Sequence, residues 1–423
     1  MHACALLTKL RSLTGLVVAV CVGWAAPVGA DVVSDWNAVT LQYVSVGDPS
    51  AVPPIPVGRG GPAGLLDIAL VHVAIHDAVQ AIEGKFQPYY YSDPTKLGIG
   101  SPEAAAAAAA HRVLVLLYPT QQGRLDDYYD EYLIDNGLED DPGLEVGEAA
   151  AVALHTNHYR PVIALPSFFG GTNPGEWRSA VPMAFLYLGV STPFTLNRTS
   201  QFRPPPPPPM QSVTYFREYE EVKTLGRNTA HPNVQTDLAR FWSGNFFAQW
   251  NEVLRQIADA KQLSVADSAR LFALANLTAA DTVMAVWESK RFYNFWRPST
   301  AIQNGENDPN RRTAGDVSWA PLVADPPYPD YVSGANGVTA AFTGTLRLYF
   351  GTDQMDFSVK SIPSQTGNEE RFFNRFSQAE QEVVEARILL GIHFRSADEE
   401  ARRLGNRVAH WVIQKSLRPV PGS

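Results

Sequence analysis

Lys290 and Arg297 stand seven residues apart in the stretch DTVMAVWESKRFYNFWRP at 281–298, which closes on Pro298. Seven residues is about two helical turns, so the two cations share a face if a helix persists through the stretch. The residue before a proline is pushed out of helical geometry, which fixes the exit at Arg297. Ser333 and Gly334 open SGANG at 333–337, a glycine-rich turn ahead of an apolar segment. Arg387 and His393 lie six apart in ARILLGIH at 386–393. Three cations, a hydroxyl, a turn at a helix start and an imidazole suit a tetrahedral oxyanion such as phosphate or vanadate. Arginine offers forked donors and lysine a point charge. A Ser-Gly turn at a helix N-terminus adds a hydroxyl, amide N–H groups and a favourable dipole. An imidazole can attack phosphorus or coordinate a metal oxyanion through one ring nitrogen. Each pair alone is what a solvated helix face or an ordinary loop also offers. The order and spacing of the three together carry the reading.

Those blocks, KRFYNFWRP, PPYPDYVSG and ARILLGIHFRS, resemble the signature of the superfamily shared by vanadium-dependent haloperoxidases and type 2 phosphatidic acid phosphatases. In motif detail the resemblance runs over residues 281–398, and the length and helical remainder resemble the secreted bacterial haloperoxidase-type branch. It implies that Lys290, Arg297, Ser333, Gly334 and Arg387 hold the equatorial oxygens, with His393 as the axial group and ligand of vanadate. It also implies that Trp287 and Tyr328 line a halide or substrate pocket, and that Asp281 supports the site from the helix of Lys290. Two departures stand out. The second block normally reads Ser-Gly-His, and its histidine serves as acid and base; here the position is Ala335, followed by Asn336. Asn336 can donate a hydrogen bond but cannot shuttle protons near neutral pH. The acidic residue expected four positions after His393 is Ala397, with Asp398 one step later as the candidate support for the ring. His76 is a further imidazole and a candidate substitute at the site, beside a bland role for His72, His76 and Asp77 in core-edge hydrogen bonding.

The resemblance implies a haloperoxidase-like enzyme that holds vanadate, or phosphate in the same site, and uses hydrogen peroxide to oxidise a halide. The alternatives are a phosphomonoesterase or phosphatidic acid phosphatase-like hydrolase working through a phosphohistidine, and an oxyanion-binding protein idled by Ala335. Missing general-acid catalysis costs about 10²–10⁴-fold, which weighs most against the hydrolase.

The elements that must position these groups read as helices. Apolar spacing predicts helices over 34–43 with Ser34 as cap, 63–82, 102–117 with Pro102 at its start, 124–134 and 141–159. It predicts more over 212–225, 235–262, 264–293 with Ser264 as cap, 337–350, 377–393 and 396–416. Between them, 161–210 reads as loop, including the stiff, extended run Pro204–Pro209. The expected fold is an all-α multi-helix bundle of the haloperoxidase/acid phosphatase type, as one domain over 31–423. Residues 1–30 read as a signal peptide: Lys9 and Arg11, then an apolar core, then Val28-Gly29-Ala30 before Asp31. The mature chain is then expected to be soluble, without a membrane span, and periplasmic or secreted. Both cysteines, Cys4 and Cys21, fall in that leader, so disulfides, thiolate metal sites and cysteine nucleophiles are excluded from the rest. Losing Lys9 and Arg11 moves the formal charge from −9 to −11, which argues against general nucleic-acid binding. Partners are expected to be small molecules.

Overall fold

The computed structural model describes residues 31–51, 54–228, 234–362 and 370–422. The leader expected over 1–30 lies outside the described residues. The long helix α9 (Val265–Tyr293) runs through the core and is buried along almost its whole length. Helix α2 (Gly64–Glu83) packs against it on one side, and α11 (Gly334–Phe350) and α13 (Arg395–Lys415) pack on the other. Behind α2 lie α3 (Pro102–Leu117) and α5 (Gly143–His158), which pack closely on each other. The seven alanines of α3 are all buried, so small side chains set that close approach. Both α2 with the turn before it and α9 are apolar and long enough to cross a membrane, but each is covered by protein.

Helices α1 (Val32–Leu41) and α4 (Gln122–Asn136) complete the N-terminal part. Helices α6 (Val213–Leu225), α7 (Val234–Phe241), α8 (Phe246–Ala260), α10 (Pro298–Gln303) and α12 (Phe376–Leu389) complete the rest. The fold is all-α, with one antiparallel hairpin among the described residues, β1 (Gln354–Lys360) with β2 (Glu370–Arg375).

Several boundaries differ from the sequence expectation for physical reasons. Helix α1 is capped by Asp31, whose carboxylate accepts the Ser34 N–H, so Ser34 lies inside the helix and is not its cap. The helix expected over 235–262 breaks at 242–245. There Asn245 accepts the Ala248 N–H at 3.2 Å and its own N–H donates to Ile362 O at 2.7 Å. Helix α11 starts at Gly334 instead of 337, which makes Ser333 its N-cap residue. Helix α12 ends at Leu389, four residues short of His393, and Gly391 then turns the chain at φ 78°. An added Cβ at Gly391 would meet Gly226 O at 2.3 Å, so only glycine fits this turn. The hairpin was not expected; Met355, Phe357 and Val359 alternate on one face, and Phe357 stacks on its partner Phe373 at 5.4 Å.

The proline run lies between the 161–203 loop and α6. Its carbonyls are gripped by two phenols: Tyr293 Oη donates to Pro204 O at 2.5 Å and Tyr331 Oη to Pro205 O at 2.6 Å. A polyproline segment makes no internal hydrogen bonds, so these acceptors are free for the purpose.

Candidate oxyanion site

Lys290 and Arg297 do meet, but not along one helix. Helix α9 stops at Tyr293, and Asn294 takes the left-handed conformation at φ 47° as its C-cap. Trp296 N then donates to Gly175 O at 3.0 Å, drawing the chain away from the helix axis. Arg297 follows in extended geometry and Pro298 opens α10. The two cations converge on consecutive carbonyls of the 325–333 loop. Lys290 Nζ donates to Pro329 O at 2.6 Å and to Asp330 O at 3.0 Å. Arg297 Nε donates to Tyr328 O at 2.9 Å. Both are buried.

His393 arrives from the turn after α12. Arg297 Nη1 donates to the neighbouring carbonyl, Ile392 O, at 2.7 Å and lies 3.3 Å from His393 Nε2. A guanidinium cannot accept, so Nε2 must present its lone pair and the ring proton must sit on Nδ1. That Nδ1–H donates to Asp330 Oδ1 at 2.6 Å. The tautomer is thereby fixed with Nε2 unprotonated, the form able to coordinate or attack.

Asp330 is the residue that the sequence reading passed over. It lies inside PPYPDYVSG, three positions before Ser333, and a carboxyl group in a proline-aromatic stretch was the available signal. Asp398, expected as the support for the ring, sits elsewhere. Its Oδ1 accepts from Asn336 Nδ2 at 2.8 Å. Asn336 therefore turns to Asp398, with a second, long contact of 3.4 Å to Ser333 Oγ. Asp281 gives all its bonds to the 194–196 segment, accepting from Phe194 N, Thr195 N, Thr195 Oγ1 and Leu196 N. It braces that loop against α9 and contacts none of the cations. His72 and His76 are tied elsewhere, His72 Nε2 to Asn37 at 2.7 Å and His76 Nε2 to Gln87 O at 3.1 Å. Asp77 accepts the N–H groups of Tyr89, Tyr90 and Tyr91.

Trp287 and Tyr328 pack with ring centroids 5.0 Å apart, and Phe185 meets Trp287 edge-on at 6.1 Å. Trp287 Nε1 is anchored on Ala184 O at 2.9 Å. Lys290 Nζ lies 5.0 Å and Arg297 Cζ 5.1 Å from the Tyr328 centroid, so one phenol ring serves two cations. Gly334 leaves room beside this wall, where an added Cβ would rest 3.4 Å from the Trp287 ring.

The donor accounts are incomplete in one direction. Arg297 Nη2 and Arg387 Nε are buried and bond nothing among the described residues, and Arg387 Nη1 makes only a 3.3 Å bond to Trp242 O. Burial, then Arg297, pulls the Lys290 ammonium well below the usual lysine range. Burial, then Arg297, Lys290 and Arg387, does the same to the His393 imidazole. Burial pushes the Asp330 carboxyl up to about 8. Gathering three cations with unused donors is costly unless an anion completes them. The residues therefore fit a bound phosphate-like or vanadate oxyanion: donors for its oxygens and an unprotonated imidazole nitrogen beside them.

Comparisons with known proteins bear on the fold and on the stretch that holds these residues. Residues 270–422 match the family model of the VCPO second helical-bundle domain, a span that holds all three motif blocks. A 120-residue stretch, 24% of this chain, is 29% identical to vanadium chloroperoxidase of Curvularia inaequalis, and covers only 19% of that relative's length. The crystal structure of the first bacterial vanadium-dependent iodoperoxidase superposes with a TM-score of 0.70 at 24% identity, covering 85% of this chain and 92% of the other. An apo-type bacterial vanadium-dependent chloroperoxidase superposes with a TM-score of 0.65 at 16% identity, covering 82% and 92%. Residues 270–422 are therefore a second helical-bundle domain of the vanadium chloroperoxidase type, carried on the fold of the vanadium-dependent haloperoxidases.

Proposed function

We propose that this chain is a haloperoxidase-like enzyme that binds vanadate, or phosphate in the same site, and uses hydrogen peroxide to oxidise a halide. The observation that carries this reading is the set of buried, unsatisfied cation donors around an imidazole whose Nε2 is held unprotonated. Lys290, Arg297, Arg387 and Ser333 would hold the oxyanion's oxygens, together with the amides at the start of α11. His393 Nε2 would be the nitrogen that holds the oxyanion. Asp330 keeps the ring in the Nδ1–H form. When bound, vanadate supplies Lewis acidity toward peroxide oxygen. The aromatic wall of Trp287, Tyr328 and Phe185 offers polarisable ring edges to a halide and limits water near the site.

Ala335 disfavours the hydrolase alternative, since an alkoxide leaving a phosphate ester needs a proton and the Ser-Gly turn offers no imidazole. The reading includes export, on the pattern of residues 1–30, and small-molecule partners only. The test is bromination of a phenolic dye by purified protein with bromide and peroxide, before and after vanadate is added. Vanadate-dependent turnover is expected. Vanadate binding by calorimetry without any turnover would reduce the site to an oxyanion holder. Mass spectrometry of protein from an exporting host should find the chain beginning at Asp31.

A further inference from the structure

Chemistry on a bound oxyanion must move protons, off the incoming oxygen and onto the departing one. The site offers few groups able to do it. Arg297 and Arg387 do not release protons. Lys290 Nζ spends two of its three donors on carbonyls at 2.6 and 3.0 Å, which leaves one for holding the oxyanion. The ring proton of His393 is committed to Asp330, whose carboxyl lies on the far side of the imidazole from Nε2. Ala335 has nothing to give.

Asp398 differs from all of these. It is wholly buried in the first turn of α13, and its Oδ2 has no partner among the described residues. Its Oδ1 is pinned by Asn336 Nδ2 at 2.8 Å. The first turns of α11 and α13 are stitched together by Ser333 N donating to Ala397 O at 2.9 Å. Farther along, the two helices touch backbone to backbone: an added Cβ at Gly405 would meet Gly337 O at 2.4 Å. Across this close seam Asn336 Nδ2 bridges Asp398 Oδ1, at 2.8 Å, and Ser333 Oγ, at 3.4 Å.

We propose that Asp398 is the proton carrier of the oxyanion site, with Asn336 holding one carboxyl oxygen so that the other exchanges the proton. The proposal rests on the oxyanion-enzyme reading above. Asp398 Oδ2 would hold one exchangeable proton, given up as a water departs and regained from the hydrogen peroxide that replaces it. No electron changes hands in this step and the carboxyl group is regenerated. Ser333 and Asn336 of α11 lie beside Asp398, and the charges that act on it are Asp330 of the 325–333 loop, Arg387 of α12 and Lys290 of α9. Burial, with Asp330 adding to it, keeps the carboxyl protonated far above the usual carboxylate range, against the pull of Ser333, Arg387 and Asn336.

The test combines infrared difference spectroscopy with turnover. Adding vanadate to the wild type should shift the carbonyl stretch of a neutral carboxylic acid, and that band should be missing in Asp398→Asn. In the same variant kcat should fall by about 10²–10⁴-fold while vanadate still binds, and adding Ala335→His should restore part of it. A vanadate-induced spectrum identical in wild type and Asp398→Asn overturns the assignment, as does unchanged kcat. If Asp398→Asn does not fold, the band is read in Asp398→Glu, where its position must differ from wild type. If the wild type binds vanadate but does not turn over, the proposed function fails, and the infrared difference alone decides whether Asp398 meets the oxyanion.

Discussion

Arg297 and Arg387 serve the same anion in this reading but are built into the protein differently, and that contrast can be measured. Arg297 donates to Tyr328 O and Ile392 O in the ligand-free protein, keeping Nη2 in reserve. Arg387 makes one long bond, to Trp242 O at 3.3 Å, and is half-buried. A charge-assisted hydrogen bond contributes about 1.5–3 kcal/mol, so replacing either arginine by alanine should weaken vanadate binding by roughly 10- to 150-fold. Stability should separate them. Arg297→Ala strands two buried carbonyls, each costing about 1–3 kcal/mol, for a total of about 2–6 kcal/mol. Arg387→Ala removes one weak bond and should cost no more than about 1 kcal/mol. The assay is calorimetric titration with vanadate alongside urea unfolding of the ligand-free variants. Unchanged vanadate affinity in Arg387→Ala, with the fold intact by circular dichroism, would refute the donor accounting.

His393→Ala should abolish vanadate-dependent bromination while leaving the circular dichroism spectrum unchanged; retained turnover would remove it from the site. Asp330→Ala should lower vanadate affinity or turnover by about 10–100-fold, because the ring loses the partner that fixes its tautomer. Burial pulls His76 from 6.5 to about 4, so the folded protein holds this ring neutral while the unfolded chain protonates it. Its contribution to stability is present above pH 6.5 and is lost as pH falls toward about 4, so the stability difference between wild type and His76→Gln should shrink across that window in urea titrations.

Much of the helical frame was legible because its signals are local. Ser264 caps α9 and Pro102 occupies the first turn of α3, as their types suggest. Apolar spacing located α2 and α9, although both are buried nearly all round. The site was legible as a set of residue types in order. Its geometry was not, because it depends on contacts between distant segments. Arg297 reaches Lys290 through a left-handed Asn294 and a pairing with Gly175, and neither is a periodic feature. The exchange of Asp398 for Asp330 beside the imidazole depends on where the 325–333 loop comes to rest, which Lys290 and Arg297 determine through its carbonyls. The break at 242–245 is held by Asn245 against Ile362, more than a hundred residues away in the chain.

The proline run gripped by Tyr293 and Tyr331 bears on the unfolded protein as much as on the folded one. Six consecutive prolines explore few backbone states even when the chain is denatured, so little freedom is lost when the phenols seize Pro204 and Pro205. Alanines at Pro206, Pro207 and Pro208 would leave both gripped carbonyls in place, yet would enlarge the denatured ensemble. Each such change should lower stability by about 0.4–1 kcal/mol without breaking either phenol contact. The strap beside the site is thus kept rigid largely by what the unfolded chain is unable to do.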